Sequence, residues 1–381
     1  MPVDAVVVRR AYGRPMAKRR TPTEFLQLFE AARRNAAGTP PRKHHLVPAS
    51  YLRRWADGGK VRVTVVDEQR SYLTAPERAA RETDYYSLSH EAVDPEDLPP
   101  LLMETMLGKL EDTAATVTGI LETRQPDALT ATQRAEMAVH LAFQITRGHA
   151  FRAEQQHILN DYYRLQYEGY TDRDIRRHLE QVGASVDAES LEQSRKFLDD
   201  LVSGEIEVGQ SRAQEVALAA SAGEKLAEHL WGRTWVVFDT KPVLVTCDEP
   251  VVLVGGPGSP RGERAGVATA GVVLHALTPS RLLAMFHPGL RADRPRELDP
   301  LETVDVNREI LGATARWAFE RPSRELTLRL LVPPPPPEPF VREGPLPQAP
   351  GANGDIYRNF KPTRWSQRHP EPDWPVARWW R

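Results

Sequence analysis

Apolar positions along the chain follow two rhythms. Over residues 101–123, Leu102, Met106, Leu107, Leu110, Ala114, Val117 and Leu121 recur in steps of three and four, which predicts a helix with one buried face. Residues 130–168 keep that period, opened by Thr130 or Thr132, and 171–182, 187–203 and the Ala-rich run 209–232 read as further helices. Nearer the start, Thr21-Pro22-Thr23-Glu24 opens a helix with Phe25, Leu26, Leu28, Phe29 and Ala32 on its apolar side, and Gly38-Thr39-Pro40-Pro41 ends it. Asp57-Gly58-Gly59 is a turn before a strand at Val61–Val66, and Thr83–Ser87 reads as extended. After residue 232 the rhythm changes. Thr234–Phe238, Val243–Thr246, Val251–Val254, Val272–Leu277 and Leu282–Phe286 are short β-branched or aliphatic runs broken by Pro and Gly, so they predict strands. Residues 299–319 return to helical spacing, and Leu326–Val332 reads as a last strand. The expected class is α+β, with a helix-rich N-terminal part and a short, mostly antiparallel sheet in the C-terminal part.

Three segments follow from this pattern. Residues 1–20 have no clear period and read as a mobile basic arm. Residues 21–332 read as one α+β domain, with lobes at 21–232 and 233–332 as the alternative. Residues 333–381 form a Pro/Trp-rich tail that holds 13 of the 33 prolines and four of the eight tryptophans. Proline favours extended polyproline structure, but Trp365, Trp374, Trp379 and Trp380 favour packing onto the body over docking to a protein partner.

Composition narrows the function classes. With 381 residues and 40% hydrophobic content the chain has material for a sizeable core. The net charge of −2 hides an uneven spread. Residues 1–43 carry ten basic and three acidic side chains, 333–381 carry seven and five, and 44–332 are left at −11. An acidic body argues against a broad nucleic-acid groove, although the arm offers local phosphate contacts and nucleic acid is not excluded. No stretch approaches 18 apolar residues, so no membrane span is expected. No secretory signal is read at the start. Cys247 is the one cysteine, which rules out an internal disulfide and any multi-cysteine metal site and points to a reducing cytoplasm.

Three constellations carry chemistry. His44-His45 precedes Pro48 and a short helix in which Leu52 and Trp55 share a buried face. Adjacent histidines in a loop suit a metal, a phosphate or proton transfer, and only one of the two is expected to enter a site. The bland alternative has one packing on the helix and the other in solvent. His140, Gln144 and Arg147 fall at i, i+4 and i+7, on one face of an apolar helix. A buried Arg needs an anion, either a structural carboxylate or a bound ligand. Asp248 follows the apolar run Leu244-Val245 and precedes Pro250, a place for a metal ligand or general base, or for a plain Asx turn. No HNH, HExxH, Walker or GxSxG pattern occurs.

The stretch His44-His45-Leu46-Val47-Pro48-Ala49-Ser50-Tyr51-Leu52-Arg53-Arg54-Trp55 resembles the opening signature of the bacterial family catalogued as domain of unknown function 4238. Further along, Asp84-Tyr85-Tyr86-Ser87 is similar to the family's Tyr-Tyr-Ser element, and Gln144 and Arg147 to its Gln/Arg helix. Cys247-Asp248-Glu249-Pro250 resembles its Ser-Asp-x-Pro turn, with Cys in place of Ser. Thr278-Pro279 and the helix around Asn307 complete the likeness, which covers about residues 43–320. The resemblance implies that polar residues from distant segments meet, so His45, Arg147 and Asp248 are expected to line one cleft. On that basis His44, His45, Arg147 and Asp248 are the catalytic candidates. His140, Gln144, Tyr51 and Asn307 are the substrate-binding ones, and His45 with Asp248 the ligands of a divalent metal. Two functions remain open: a metal-dependent hydrolase of a phosphate ester or nucleic acid, or a non-enzymatic binding or regulatory protein whose tail docks a partner.

Overall fold

Two four-stranded antiparallel sheets organise the body of the protein. The computed structural model describes residues 22–36, 43–83, 85, 99, 101–210, 212–290, 295–330, 332–337, 340–346 and 356–381. The basic arm 1–20 lies outside them, as do Asp84, Tyr86 and Ser87. In chain order the first elements are α1 (Pro22–Ala36), β1 (Lys43–His45), α2 (Ala49–Leu52), β2 (Val61–Val65), β3 (Arg70–Thr74), β4 (Arg81–Thr83), α3 (Leu102–Leu121) and α4 (Ala131–Thr146). Then come α5 (His149–Tyr167), α6 (Asp172–Gln181), α7 (Ala188–Ser203), α8 (Arg212–Trp231), β5 (Thr234–Asp239), β6 (Thr246–Cys247), β7 (Val252–Val254), β8 (Val272–Thr278) and β9 (Arg281–Phe286). The last are α9 (Pro300–Ala313), β10 (Trp317–Glu320), α10 (Leu326–Arg329), β11 (Phe340–Leu346) and β12 (Ile356–Phe360). The class is α+β, and no described helix is long and apolar enough to cross a membrane.

The chain forms two compact units. The first comprises 1–150, 212–337 and 362–381; the second comprises 151–211 and 338–361. These boundaries do not follow a division at 232, and segment 333–381 contributes to both units.

In the first unit one sheet runs β5-β9-β8-β7 and the other β3-β2-β10-β6. Alternate residues of β8 point to opposite faces. Val272, Leu274 and Ala276 enter one hydrophobic cluster, with Trp55, Val63, Phe319 and Ile310. Val273 and Leu277 enter another, with Leu121, Met137, Leu141 and Leu230 from α3, α4 and α8. Because this sheet is covered on both faces, its strands read as continuous apolar runs and not as an alternation. β3 is half-exposed at the edge of its sheet and carries Arg70, Ser71 and Thr74, which is why no apolar period announced it.

Four elements depart from the sequence expectation, each through a tertiary contact. The expected helix 130–168 starts at Thr130, whose hydroxyl accepts the Gln133 N–H at 3.2 Å while Gln133 accepts the Thr130 N–H at 3.0 Å. It then breaks at Arg147-Gly148, where the Glu249 carboxylate fills the space that a side chain at Gly148 would need. The expected helix 299–319 ends at Ala313 because Asp248 captures the N–H groups of Ala315, Arg316 and Trp317. Leu326–Arg329 is a helical turn and not a strand, since the Glu320 carboxylate accepts the N–H groups of Leu326 and Thr327. Of the expected strand Val243–Thr246 only Thr246 joins a ladder, and Val243 and Val245 bond Asn307 instead.

Candidate functional site

The double histidine lies in a strand and not in a loop. β1 pairs with β4, His44 opposite Glu82 and His45 opposite Arg81. Neighbouring strand residues face opposite ways, so the two rings separate. His44 is buried with Nδ1 3.3 Å from Glu104 Oε2. His45 donates through Nε2 to the carbonyl of Glu77 at 3.2 Å, and burial lowers its pKa.

Pro48 precedes α2, and its carbonyl accepts the N–H groups of Tyr51 and Leu52. This turn sends Tyr51 inward. Its hydroxyl donates to the Ala276 carbonyl at 2.6 Å, so Thr246 Oγ1, at 2.8 Å, is the donor in the other bond. The Tyr51 ring stacks on His275 with centroids 5.2 Å apart. His275 Nδ1 lies 3.0 Å from the Pro250 carbonyl, which only accepts, so that nitrogen carries the proton. Burial pushes His275 down to about 4, which keeps it neutral at pH 7.

On α4 the predicted stripe forms a hydrogen-bonded chain. Arg147, at the C-terminal cap and 2% exposed, donates to Glu111 Oε1 at 2.7 Å and to Gln144 Oε1 at 2.8 Å. That leaves the Gln144 amide nitrogen facing His140 Nε2 at 3.3 Å, which fixes the His140 proton on Nδ1. Burial first, then the charge of Arg147, holds His140 well below its ordinary pKa. Tyr51, Glu111, His140 and His275 border a space of about 10 Å³, the size of a single water. The terminal nitrogens of Arg147, the Gln144 amide and the Tyr51 hydroxyl are bonded within the protein, whereas the buried Arg147 Nε has no hydrogen-bond partner among the described residues.

Asp248 and Asn307 serve elsewhere. The Asp248 carboxylate accepts three backbone N–H groups at 2.7–3.0 Å, from Ala315, Arg316 and Trp317. It holds the start of β10, a distant segment, and not an Asx turn around Pro250. Among the described residues it makes no hydrogen bond or ion pair with His44, His45 or Arg147. Asn307 is buried, accepts the Val245 N–H at 3.0 Å and donates to the Val243 carbonyl at 2.9 Å. It stands in for a missing strand neighbour. Among the described residues no group of three or more His, Cys, Asp or Glu is arranged to hold a metal ion. Among the described residues His45 and Asp248 are joined by no third ligand, and both Asp248 oxygens accept backbone N–H groups.

The residue that sequence reasoning passed over is the neighbour of Asp248. Glu249 is buried, and its Oε1 accepts the N–H of Ala150 at 2.9 Å in the first turn of α5. Burial, reinforced by the adjacent Asp248, pushes its carboxyl up to about 7. Among the described residues no cationic side chain is ion-paired with it, while the charge of Arg264 favours its ionised form. Glu249 lines a cavity of about 220 Å³ whose wall includes Arg261, Glu309, Trp365 and Trp374. Arg261 lies between the Trp365 and Trp374 rings, 4.8 and 4.6 Å from their centroids, and grips Glu309 with both terminal nitrogens. Segment 333–381 thus supplies walls of this cavity, through Pro335, Pro336, Arg364, Trp365 and Trp374. Trp379 is buried against Phe238 and Phe286. The signal in the sequence is a pair of adjacent acids, Asp248 and Glu249, at an apolar strand end.

Fold and cavity define an α+β domain built on two antiparallel sheets, with a closed polar network and a separate small pocket. Residues 43–324 match the family described as Protein of unknown function (DUF4238), and the chain belongs to that family. Neither curated proteins nor solved structures give a significant match.

Proposed function

We propose that this is a small-molecule-binding protein whose pocket at Glu249 takes an organic cation, such as a primary ammonium carried on a short apolar group. The supporting observation is a contrast among buried acids. Glu309 has Arg261, Asp248 has three N–H groups, and Glu320 has two. Glu249 sits at a cavity wall with the backbone N–H groups of Ala150 and His149 and, among the described residues, no ion-paired cation, the charge of Arg264 favouring its ionised form. A buried carboxylate without a counter-charge is costly, and a ligand cation supplies one. Apolar walls from Trp374, Val251 and Leu253 suit the body of such a ligand. In this reading His44, His45, Arg147, Asp248, Tyr51, His140, Gln144 and Asn307 hold the fold and do not touch the ligand. The test is calorimetric titration with benzylammonium and with benzyl alcohol, its neutral counterpart. Wild type is expected to bind the cation and Glu249→Gln to lose it. Equal binding of the two compounds overturns the reading.

A second reading keeps the hydrolase. A carboxyl near 7 beside Arg261 and Arg264 suits general acid–base work on an anionic ester, with Glu249 in the place given to His45 and Asp248. Turnover of p-nitrophenyl phosphate that Glu249→Gln abolishes would put this reading first. Cytoplasmic residence is proposed on the single, buried, unpaired Cys247.

A further inference from the structure

The second unit holds a larger cavity that is unrelated to Glu249. Its helices α6 and α7 and most of α5 bury little of their own: Ile175 and Leu201 are the fully buried apolar side chains among the described residues of 151–211. Phe197, Tyr162, Tyr170 and Val182 stay exposed. Protein interiors normally close to crystal-like density. Here the helices instead leave a half-open groove of about 410 Å³, within the range of small-molecule sites. Its apolar surface comes from Tyr163, Tyr167, Ile175 and Leu201, and His178 and Ser194 add polar groups. Tyr163 and Tyr167, one helical turn apart, present parallel rings 6.3 Å between centroids, and Tyr170 meets Tyr167 edge-on at 5.0 Å. Among the described residues no Asp, Glu, Lys or Arg lines the space.

We propose that this helical unit binds an uncharged aromatic small molecule, seated against the tyrosine ladder and hydrogen-bonded through His178 or a tyrosine hydroxyl. A charged ligand would find no counter-ion in the lining, and an aromatic one matches the ring edges and faces offered. Burial and the neighbouring tyrosines raise the Tyr167 pKa, so its hydroxyl stays protonated and able to donate.

The test uses the full chain and N-phenyl-1-naphthylamine, a neutral aromatic fluorophore. Wild type is expected to bind one equivalent saturably with blue-shifted emission. Ser194→Trp, which fills the cavity, is expected to weaken binding at least tenfold while circular dichroism stays unchanged. Should that variant fail to fold, Leu198→Trp fills the same space from the next turn of α7. Glu249→Gln is expected to leave the titration unchanged, which separates this site from the first. No saturable binding, binding that persists in a folded cavity-filled variant, or loss of binding in Glu249→Gln overturns the proposal.

Discussion

Replacing Glu249 by Gln removes the charge of a buried acid and keeps its shape. In the wild type the carboxyl is raised from the usual 4.5 of a glutamate to about 7. Between those values the folded state holds a proton that the unfolded state has released. Linkage then fixes the sign: this group's contribution is fully present below pH 4.5 and is lost as pH rises through 7. Each tenfold difference in proton affinity corresponds to about 1.4 kcal/mol, so the loss is about 3 kcal/mol. The Gln amide oxygen still accepts the Ala150 N–H but carries no charge. Urea unfolding of both proteins at pH 4.5 and pH 8.5 measures the difference. Glu249→Gln should match wild type at pH 4.5 and exceed it by about 3 kcal/mol at pH 8.5, with unchanged m-values. The buried His140 and His275 tilt stability the other way, losing it as pH falls below 6.5, but they do so equally in both proteins. A Gln variant less stable than wild type at pH 8.5 would show that the carboxylate is already satisfied within the fold, and the reasoning would fail.

Three other substitutions probe the polar framework. Arg147→Ala leaves Glu111 and Gln144 without their donor and should cost about 3–5 kcal/mol in chemical denaturation. Asp248→Asn offers one acceptor oxygen to three buried N–H groups and should cost about 1–3 kcal/mol, with no dependence on added divalent metal in the same assay. Gly148→Ala drives a methyl into the Glu249 carboxylate. It should cost about 1–3 kcal/mol in wild type and much less in a Glu249→Ala background, a coupling that a double-mutant cycle reads directly.

Periodic burial was legible in the sequence, and capture by distant side chains was not. Leu102, Leu107, Val117 and Leu121 announced α3 because a helix face against a sheet needs apolar residues at that spacing. Residues 314–320 carried helical spacing too, yet three of their N–H groups belong to Asp248, some 70 positions earlier. Nothing local records that pairing. The same holds for Asn307, whose amide serves the backbone of 243–245. The i, i+4, i+7 stripe of His140, Gln144 and Arg147 did meet in space, because helix geometry alone aligns it, but its anion is Glu111 of α3. Glu249 stayed hidden because its importance comes from what is missing around it. The absence of an ion-paired cation among the described residues is a property of the packed structure and not of the residue string.

The most direct measurement of the central claim is the proton count on binding. Benzylammonium is titrated into the full-length protein at pH 7 in two buffers of different ionisation enthalpy. A cation bound against Glu249 favours the carboxylate, so a group about half-protonated at pH 7 should release about half a proton per ligand. The same titration of Glu249→Gln should show no buffer dependence. Binding with no proton release, or with proton uptake, would contradict the assignment of Glu249 as the ligand's counter-charge.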